Sequence, residues 1–385
     1  MIRKKKMMRF VLLLSALGMT HCGQIDVVAA NRFGTAPMGS GAIEGLYTSL
    51  AVDQSGQAHI SFYDSTNGAL KYTWFDSSRR VWNDEFVDLG GVAGVGIDNS
   101  LALDPVTGSP RISYYDQTNH RLLFASWTGT QWFLEVVDPG FGHDVGQFSS
   151  LVLDASGRPA VAYYDATQGS LKLAESAATG PPFNFSSGTI DSGNVGQYCS
   201  LALDPITQEY RIAYYDAGHQ DNKVAAWDNT TSNFYTFFVD PAIGTGIFNS
   251  VAVDRATGKI HLAYYDMALH VLKYAKSSFP PFTTPPVWTI EVADPGNGHD
   301  VGQFAALTLD AGGNPYIAYY DATLFTLKLG QRSNLGWSLS WPIYFGSSSP
   351  DAGLYPSIKV NPVNGAVYIS FYDQTAGQLG FFPQL

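Results

Sequence analysis

Cysteine, charge and long apolar runs are all scarce in this chain. Its 385 residues include two cysteines, Cys22 and Cys199. Cys22 directly follows an expected N-terminal leader, and with Cys22 acylated or removed Cys199 would be the one free thiol, leaving no intramolecular disulfide. Cys199 takes a place that Ser149 and Asn249 fill in other repeats, so a small packed side chain is expected there, not a nucleophile. Charged residues make up only 14%, while aromatics also reach 14% and glycines number 39. That balance suits short strands and tight turns, and it excludes a disordered chain. The apolar stretch Phe10 to Gly18 is too short to span a bilayer, and no later segment is long enough. Familiar catalytic signatures are missing too. There is no Gly-x-Ser-x-Gly elbow, His-Glu-x-x-His, phosphate loop or paired cysteines for zinc.

The charges that are present lean acidic. Lys and Arg number 22 against 33 Asp and Glu, and five of the basic residues lie in the first 21 positions. The remaining acidic surface disfavours nucleic acid and anionic membranes as partners. It is compatible with cations, neutral glycans or a surface protein. Arg3, Lys4, Lys5, Lys6 and Arg9 precede the apolar stretch, which is the pattern of an export signal. Two cuts compete. Met19-Thr20-His21-Cys22 resembles a bacterial lipoprotein box, with His21 where a small residue is usual, and Cys22 would be the acylated residue. The rival is a peptidase site at Val28-Ala29-Ala30. The expected division is a leader over 1–21 and one folded body over 22–385, with membrane contact only through a lipid anchor.

The dominant feature is a repeat. Aromatic-Tyr-Asp recurs seven times at a spacing of about fifty residues, ending at Asp64, Asp116, Asp165, Asp216, Asp266, Asp321 and Asp373. Each copy follows a Ser-Leu-Ala-Leu-Asp-like run and a Gly- or Pro-containing turn. The third copy reads as strand Ser150 to Asp154, a turn, strand Ala160 to Tyr164, a turn and strand Leu171 to Ala174. A fourth strand precedes the next copy, as Phe133 to Val137 precedes the third. Four short strands per unit match one propeller blade. The fold expected is all-β, a seven-bladed β-propeller of four-stranded antiparallel blades. The last unit supplies three strands, and Gln24-Ile25-Asp26-Val27-Val28-Ala29 resembles the missing fourth. The N-terminal strand is therefore expected to pair with the last blade and close the ring, which favours a mature chain starting near Cys22.

This organisation resembles the secreted bacterial seven-bladed β-propeller repeat proteins. Leu309-Asp310-Ala311-Gly312-Gly313-Asn314-Pro315-Tyr316-Ile317-Ala318 is similar to repeats of the Asp-box and NHL kinds, without the aromatic that closes an Asp-box. The resemblance implies a ligand site on the face carrying the turns after Tyr-Asp, called here the upper face. It implies little about activity, because propellers host lectins, lyases, hydrolases and scaffolds.

Equivalent aspartates in adjacent blades lie too far apart to share an ion, since packed sheets stand ~10 Å apart and calcium ligands ~2.3–2.6 Å from the metal. No cofactor is therefore expected, with calcium (Ca) the one ion such carboxylates would suit. Each Asp is expected to accept N–H bonds within its own turn. Asp53, Asp104, Asp154, Asp204, Asp254, Asp310 and Asn361 should do the same in the opposite turns.

Departures from the repeat carry more information. Asp138 to Gln147 and Asp294 to Gln303 are near copies holding His143-Asp144 and His299-Asp300. They enter units three and six, nearly opposite across a seven-fold ring, so they are not expected to meet at one reacting bond. The plainer expectation is that each His donates to its own unit's carboxylate, Asp165 or Asp321. The functional one is two equivalent pockets. Unit four departs as well. Asp216 to Val224 spans eight residues where the other units take six to the next Leu or Val, which predicts a longer polar turn containing His219, Asp221 and Asn222. The expected function is a non-catalytic, exported cell-surface binding module for carbohydrate. The alternatives are an extracellular polysaccharide lyase or glycoside hydrolase, with His219 or His143 as base, and a protein-interaction scaffold.

Overall fold

A computed structural model describes residues 31–32, 43–90, 94–278, 285–342 and 351–383, with only the backbone described for 31–32. The described residues are all-β, apart from a single 3-10 turn at Gly296–Gly298. The sequence units appear as repeated antiparallel sheets. Unit one comprises strands Glu44–Val52, Ala58–Asp64, Ala69–Asp76 and Val81–Asp88. Unit two runs from Val95–Leu103 to Trp132–Asp138, unit three from Val145–Leu153 to Ser186–Ser192, unit four from Val195–Leu203 to Asn233–Asp240, and unit five from Thr245–Val253 to Trp288–Asp294. Each of these five is a four-stranded sheet in chain order. Unit six, from Val301–Leu309 to Gly336–Ser340, and unit seven, from Ala352–Val360 to Gln378–Pro383, share one eight-stranded sheet through a parallel bridge between Thr326 and Ala352.

The last strand does receive an N-terminal partner, but not at the expected residues. Asn31–Arg32 pairs antiparallel with Phe381 and Gly380. Gln24 to Ala29 lies outside the described residues. Similar short apolar runs do not fix a register by pattern alone. Because Asn31 follows the Val28-Ala29-Ala30 site, the observed pairing no longer favours one cut over the other.

The sequence explains the packing. Middle strands are buried on both faces, as in Pro110–Asp116 and Ile260–Asp266, whose residues are all buried. The fourth strands of units one to six are more exposed instead, as in Val81–Asp88 and Ser186–Ser192, because one of their faces meets solvent. First strands carry a bulge built on a recurring glycine. Gly146, with φ of 108°, leaves no room for a Cβ, which would stand 2.9 Å from the Leu122 backbone of the preceding unit. Gly45 meets Leu379 in the same way, at 2.5 Å, although these residues belong to the first and last units.

Hydrogen bonds between units repeat with equal regularity. The N–H of Leu101 donates to Ser49 Oγ of the preceding unit at 2.9 Å. Leu151, Leu201, Val251 and Leu307 donate likewise to Ser100, Ser150, Ser200 and Ser250. Leu50 of unit one donates to Ser357 of unit seven at 3.0 Å. In unit six the serine place holds Ala306, which offers Ile358 no hydroxyl. Deeper in, the phenols of Tyr114, Tyr163, Tyr214, Tyr264 and Tyr319 donate at 2.6–2.9 Å to Asp88, Asp138, Asp191, Asp240 and Asp294, which lie at or one residue before the ends of the preceding units' last strands. Four of these carboxylates also take an ammonium, from Lys172, Lys223, Lys273 or Lys328. Where no such Asp precedes the unit, Phe62 and Phe371 replace the tyrosine.

Candidate functional site

All seven Tyr-Asp carboxylates accept the N–H three residues on, from Asn67, Asn119, Gln168, His219, Leu269, Leu324 and Ala376. The turns are therefore built by the aspartates themselves. Asp53, Asp104, Asp154, Asp204, Asp254, Asp310 and Asn361 cap the opposite turns in the same manner. The fourth residue after each Tyr-Asp carboxylate adopts positive φ. Glycine supplies it at Gly68, Gly169 and Gly377, but His120 and His270 stand there with φ of 53° and 56°. A non-glycine residue in that region costs on the order of 1 kcal/mol or more, so the imidazoles are placed at some expense. Backbone bonds tie these turns to the segments entering the next unit. Val145 N–H donates to His120 O and Val301 N–H to His270 O, both at 3.2 Å. Both kinds of segment thus share the upper face.

There the near-copied segments build two matching polar sets. Tyr115 OH donates to Asp144 Oδ1 at 2.7 Å and lies 3.0 Å from His120 Nδ1, while Gln147 Nε2 donates to Asp144 Oδ2 at 2.9 Å. Tyr265, Asp300, His270 and Gln303 repeat the set at 2.7, 2.7 and 3.0 Å. With the phenol proton committed to the carboxylate, the imidazole Nδ1 must donate to the phenol oxygen. In the neutral ring Nε2 is then left as an acceptor. Both His side chains are more than half exposed. Burial, and then the hydrogen bond to its carboxylate, push each phenol well up from its ordinary value.

The residues predicted from sequence divide. His143 Nδ1 lies 3.2 Å from Asp165 Oδ2 and His299 Nδ1 3.2 Å from Asp321 Oδ2, so each turns to its own unit's carboxylate. Their neighbours Asp144 and Asp300 instead reach back to the preceding unit. Unit four needs a correction. Asp216 pairs with Asp221 and Tyr215 with Asn222, matching Asp116 with Arg121 and Tyr115 with Leu122 in unit two. The turn has no extra residues. Asn222 takes the place of a leucine and is fully buried, and neither amide atom has a partner among the described residues. Asp221 lies beside it, its carboxyl pushed up to about 6 by burial, with Asp240 and Asp216 adding like charge. His219 is exposed at the turn, with Nδ1 3.0 Å from Asp216 Oδ2.

Sequence reading missed a collar of residues on the first strands. Tyr47, Asp98, Phe148, Tyr198, Phe248, Phe304 and Tyr355 occupy one repeating place, all with φ between 48° and 55°. Five ring contacts, with centroids 4.4–5.0 Å apart, run without a break from Phe148 through Tyr198, Phe248, Phe304 and Tyr355 to Tyr47. Cys199 lies next to the collar, its thiol donating to Phe148 O at 3.0 Å, and burial pushes that thiol far up from its ordinary value. A cavity of about 490 Å³ opens at the collar and reaches His120, Tyr115 and Asp144. A second concavity, about 510 Å³, lies between the outer strands of units three and four, beside Glu175 and Trp227. Among the described residues no group of three or more His, Cys, Asp or Glu is arranged to hold a metal.

No protein-family profile and no curated protein matches the sequence. Solved structures do resemble the fold. A hydrazine synthase structure from Kuenenia stuttgartiensis superposes with a TM-score of 0.61 at 8% identity, covering 91% of this chain and 98% of that one. A prolyl endopeptidase gives 0.51 at 9% identity over 89% of this chain and 50% of that chain. The intramolecular trans-sialidase from Ruminococcus gnavus gives 0.48 at 9%, covering 94% and 98%. At such identities the first two likenesses support a propeller-like scaffold and carry no activity with them.

Proposed function

We propose that the seven units close into one seven-bladed β-propeller that serves, outside the cell, as a non-catalytic binding module for carbohydrate. Closure is supported by the bond from Leu50 to Ser357 and the contact of Gly45 with Leu379, which repeat between the first and last units what joins consecutive ones. The observation that carries the binding reading is duplication. His120-Tyr115-Asp144-Gln147 and His270-Tyr265-Asp300-Gln303 present the same acceptors and donors three units apart. One reacting centre needs no second copy, whereas a ligand with repeating units gains from two equal contacts. Exposed imidazoles, with carboxylates beside them, suit sugar hydroxyls. Phe141, 91% exposed beside His143, suits the apolar face of a sugar ring. His143 and His299, next in sequence to Asp144 and Asp300, and the exposed His219 of unit four would serve as further hydroxyl contacts. The export reading rests on the leader and on acylation at Cys22, both outside the described residues.

A glycan-array and thermal-shift screen tests the reading. Neutral glycans are expected to raise the melting temperature without being consumed. His120→Ala and His270→Ala should each weaken binding by about tenfold, corresponding to roughly 1.4 kcal/mol for a lost hydrogen-bonding contact. One variant abolishing binding while the other leaves it unchanged would replace two sites by one. A catalytic reading, as polysaccharide lyase or glycoside hydrolase, draws on a different observation. Burial pushes the Asp98 carboxyl up to about 6 in the cavity that His120 also lines, as an acid–base group requires. Release of reducing ends or unsaturated products would decide for it. Capture of a surface protein, with no response to glycans, would favour the scaffold.

A further inference from the structure

Six of the seven collar places hold an aromatic ring, and the seventh holds Asp98. Packing alone would favour a ring there too. Each neighbouring ring pair adds about 0.5–1.5 kcal/mol beyond its buried area, and the run of contacts breaks where the ring is missing, between Tyr47 and Phe148. The carboxylate brings a cost of its own. Burial pushes the Asp98 carboxyl up to about 6, and only the Phe148 N–H, 2.8 Å from Oδ2, works against that. Among the described residues no lysine, arginine or histidine forms an ion pair with Asp98. The titratable groups that interact with it are the phenols of Tyr47, Tyr115, Tyr198 and Tyr355 and the thiol of Cys199, all held neutral by burial and none of them able to become a cation. A half-buried carboxylate without a counter-charge, facing a cavity of about 490 Å³, has the composition of a receptor for positive charge.

We propose that this cavity binds an organic cation, a protonated or quaternary amine, with Asp98 as counter-charge and the rings of Tyr47, Phe148, Tyr198 and Tyr355 as walls. Ring faces attract ammonium groups through their quadrupole, and quaternary ammonium ligands are bound in such aromatic cages. The net negative charge of the chain draws cations toward the cavity. The cavity borders the polar set of Tyr115, His120, Asp144 and Gln147, and what separates this proposal from the carbohydrate reading is Asp98, which belongs to the collar and to neither polar set.

Isothermal titration at about pH 7, where the glucosamine amine is mostly protonated and the Asp98 carboxyl mostly ionised, tests it, with choline and glucosamine as probes. Their neutral counterparts are 3,3-dimethylbutan-1-ol and N-acetylglucosamine. At least one cation should bind, about tenfold or more tighter than its neutral counterpart. A preference for choline would indicate a quaternary headgroup, and a preference for glucosamine an amino sugar. Asp98→Asn should lose that margin. Asp98→Phe installs the ring present at other collar places, so its loss of binding is not a loss of fold. Absence of heat with both cations, equal affinity for the neutral counterparts, or full binding by Asp98→Phe would each overturn the proposal. A failed neutral-glycan screen alone would leave it standing.

Discussion

Asn222 sits where the other six units place leucine, at Leu70, Leu122, Leu171, Leu272, Leu327 and Leu379. A buried amide without partners loses its hydration and gains nothing in exchange. Asn222→Leu is expected to raise stability by about 1–3 kcal/mol, read from urea unfolding. A fall in stability would show that the amide is engaged by a bound molecule. The same residue shows where hydropathy misleads. Every other unit has leucine six residues after its Tyr-Asp carboxylate; with Asn222 in that place the next apolar residue is Val224, and a uniform turn looks extended. The polar sets were hidden for another reason. Tyr115 and Asp144 stand 29 residues apart and belong to different units, so only the packing of one unit on the next brings them together. His143 with Asp165, by contrast, joins a histidine at the start of one unit to that unit's own repeating carboxylate, and the repeat alone gave that partner.

Strands and turns were the most legible elements, because each aspartate closes its own turn and each apolar run lies between two such turns. Bulges were not. Val145-Gly146-Gln147-Phe148 precedes the strand expected from Ser150 to Asp154, and nothing in the residue types announces that these residues extend that strand through a bulge or that Phe148 takes a φ of 55°. That local departure aims the collar rings at one another, and it explains why the aromatic place, visible in every copy but one, was not read as a feature. The bulge glycine carries a sharp prediction. Gly146→Val adds a side chain where the Leu122 backbone already stands, in a backbone region valine avoids, and should cost on the order of 3 kcal/mol. Gly45→Val should cost as much, measured by the same unfolding assay. If it proves mild while Gly146→Val is severe, units one and seven do not press together as consecutive units do.

For the molecule as a whole, period and composition were enough to give all-β units in chain order, but not the way in which the final two share a sheet through Thr326 and Ala352. The joint between those two units also lacks the serine hydroxyl that clasps the others, because Ala306 stands in its place. A series of clasped units opens first where a clasp is missing. Native-state amide exchange should find Ile358 exchanging faster than Leu50, Leu101, Leu151, Leu201, Val251 and Leu307, its six counterparts. Equal protection at all seven would mean that no seam exists. Otherwise this joint is where the molecule would first admit a wedge, a protease or a second chain.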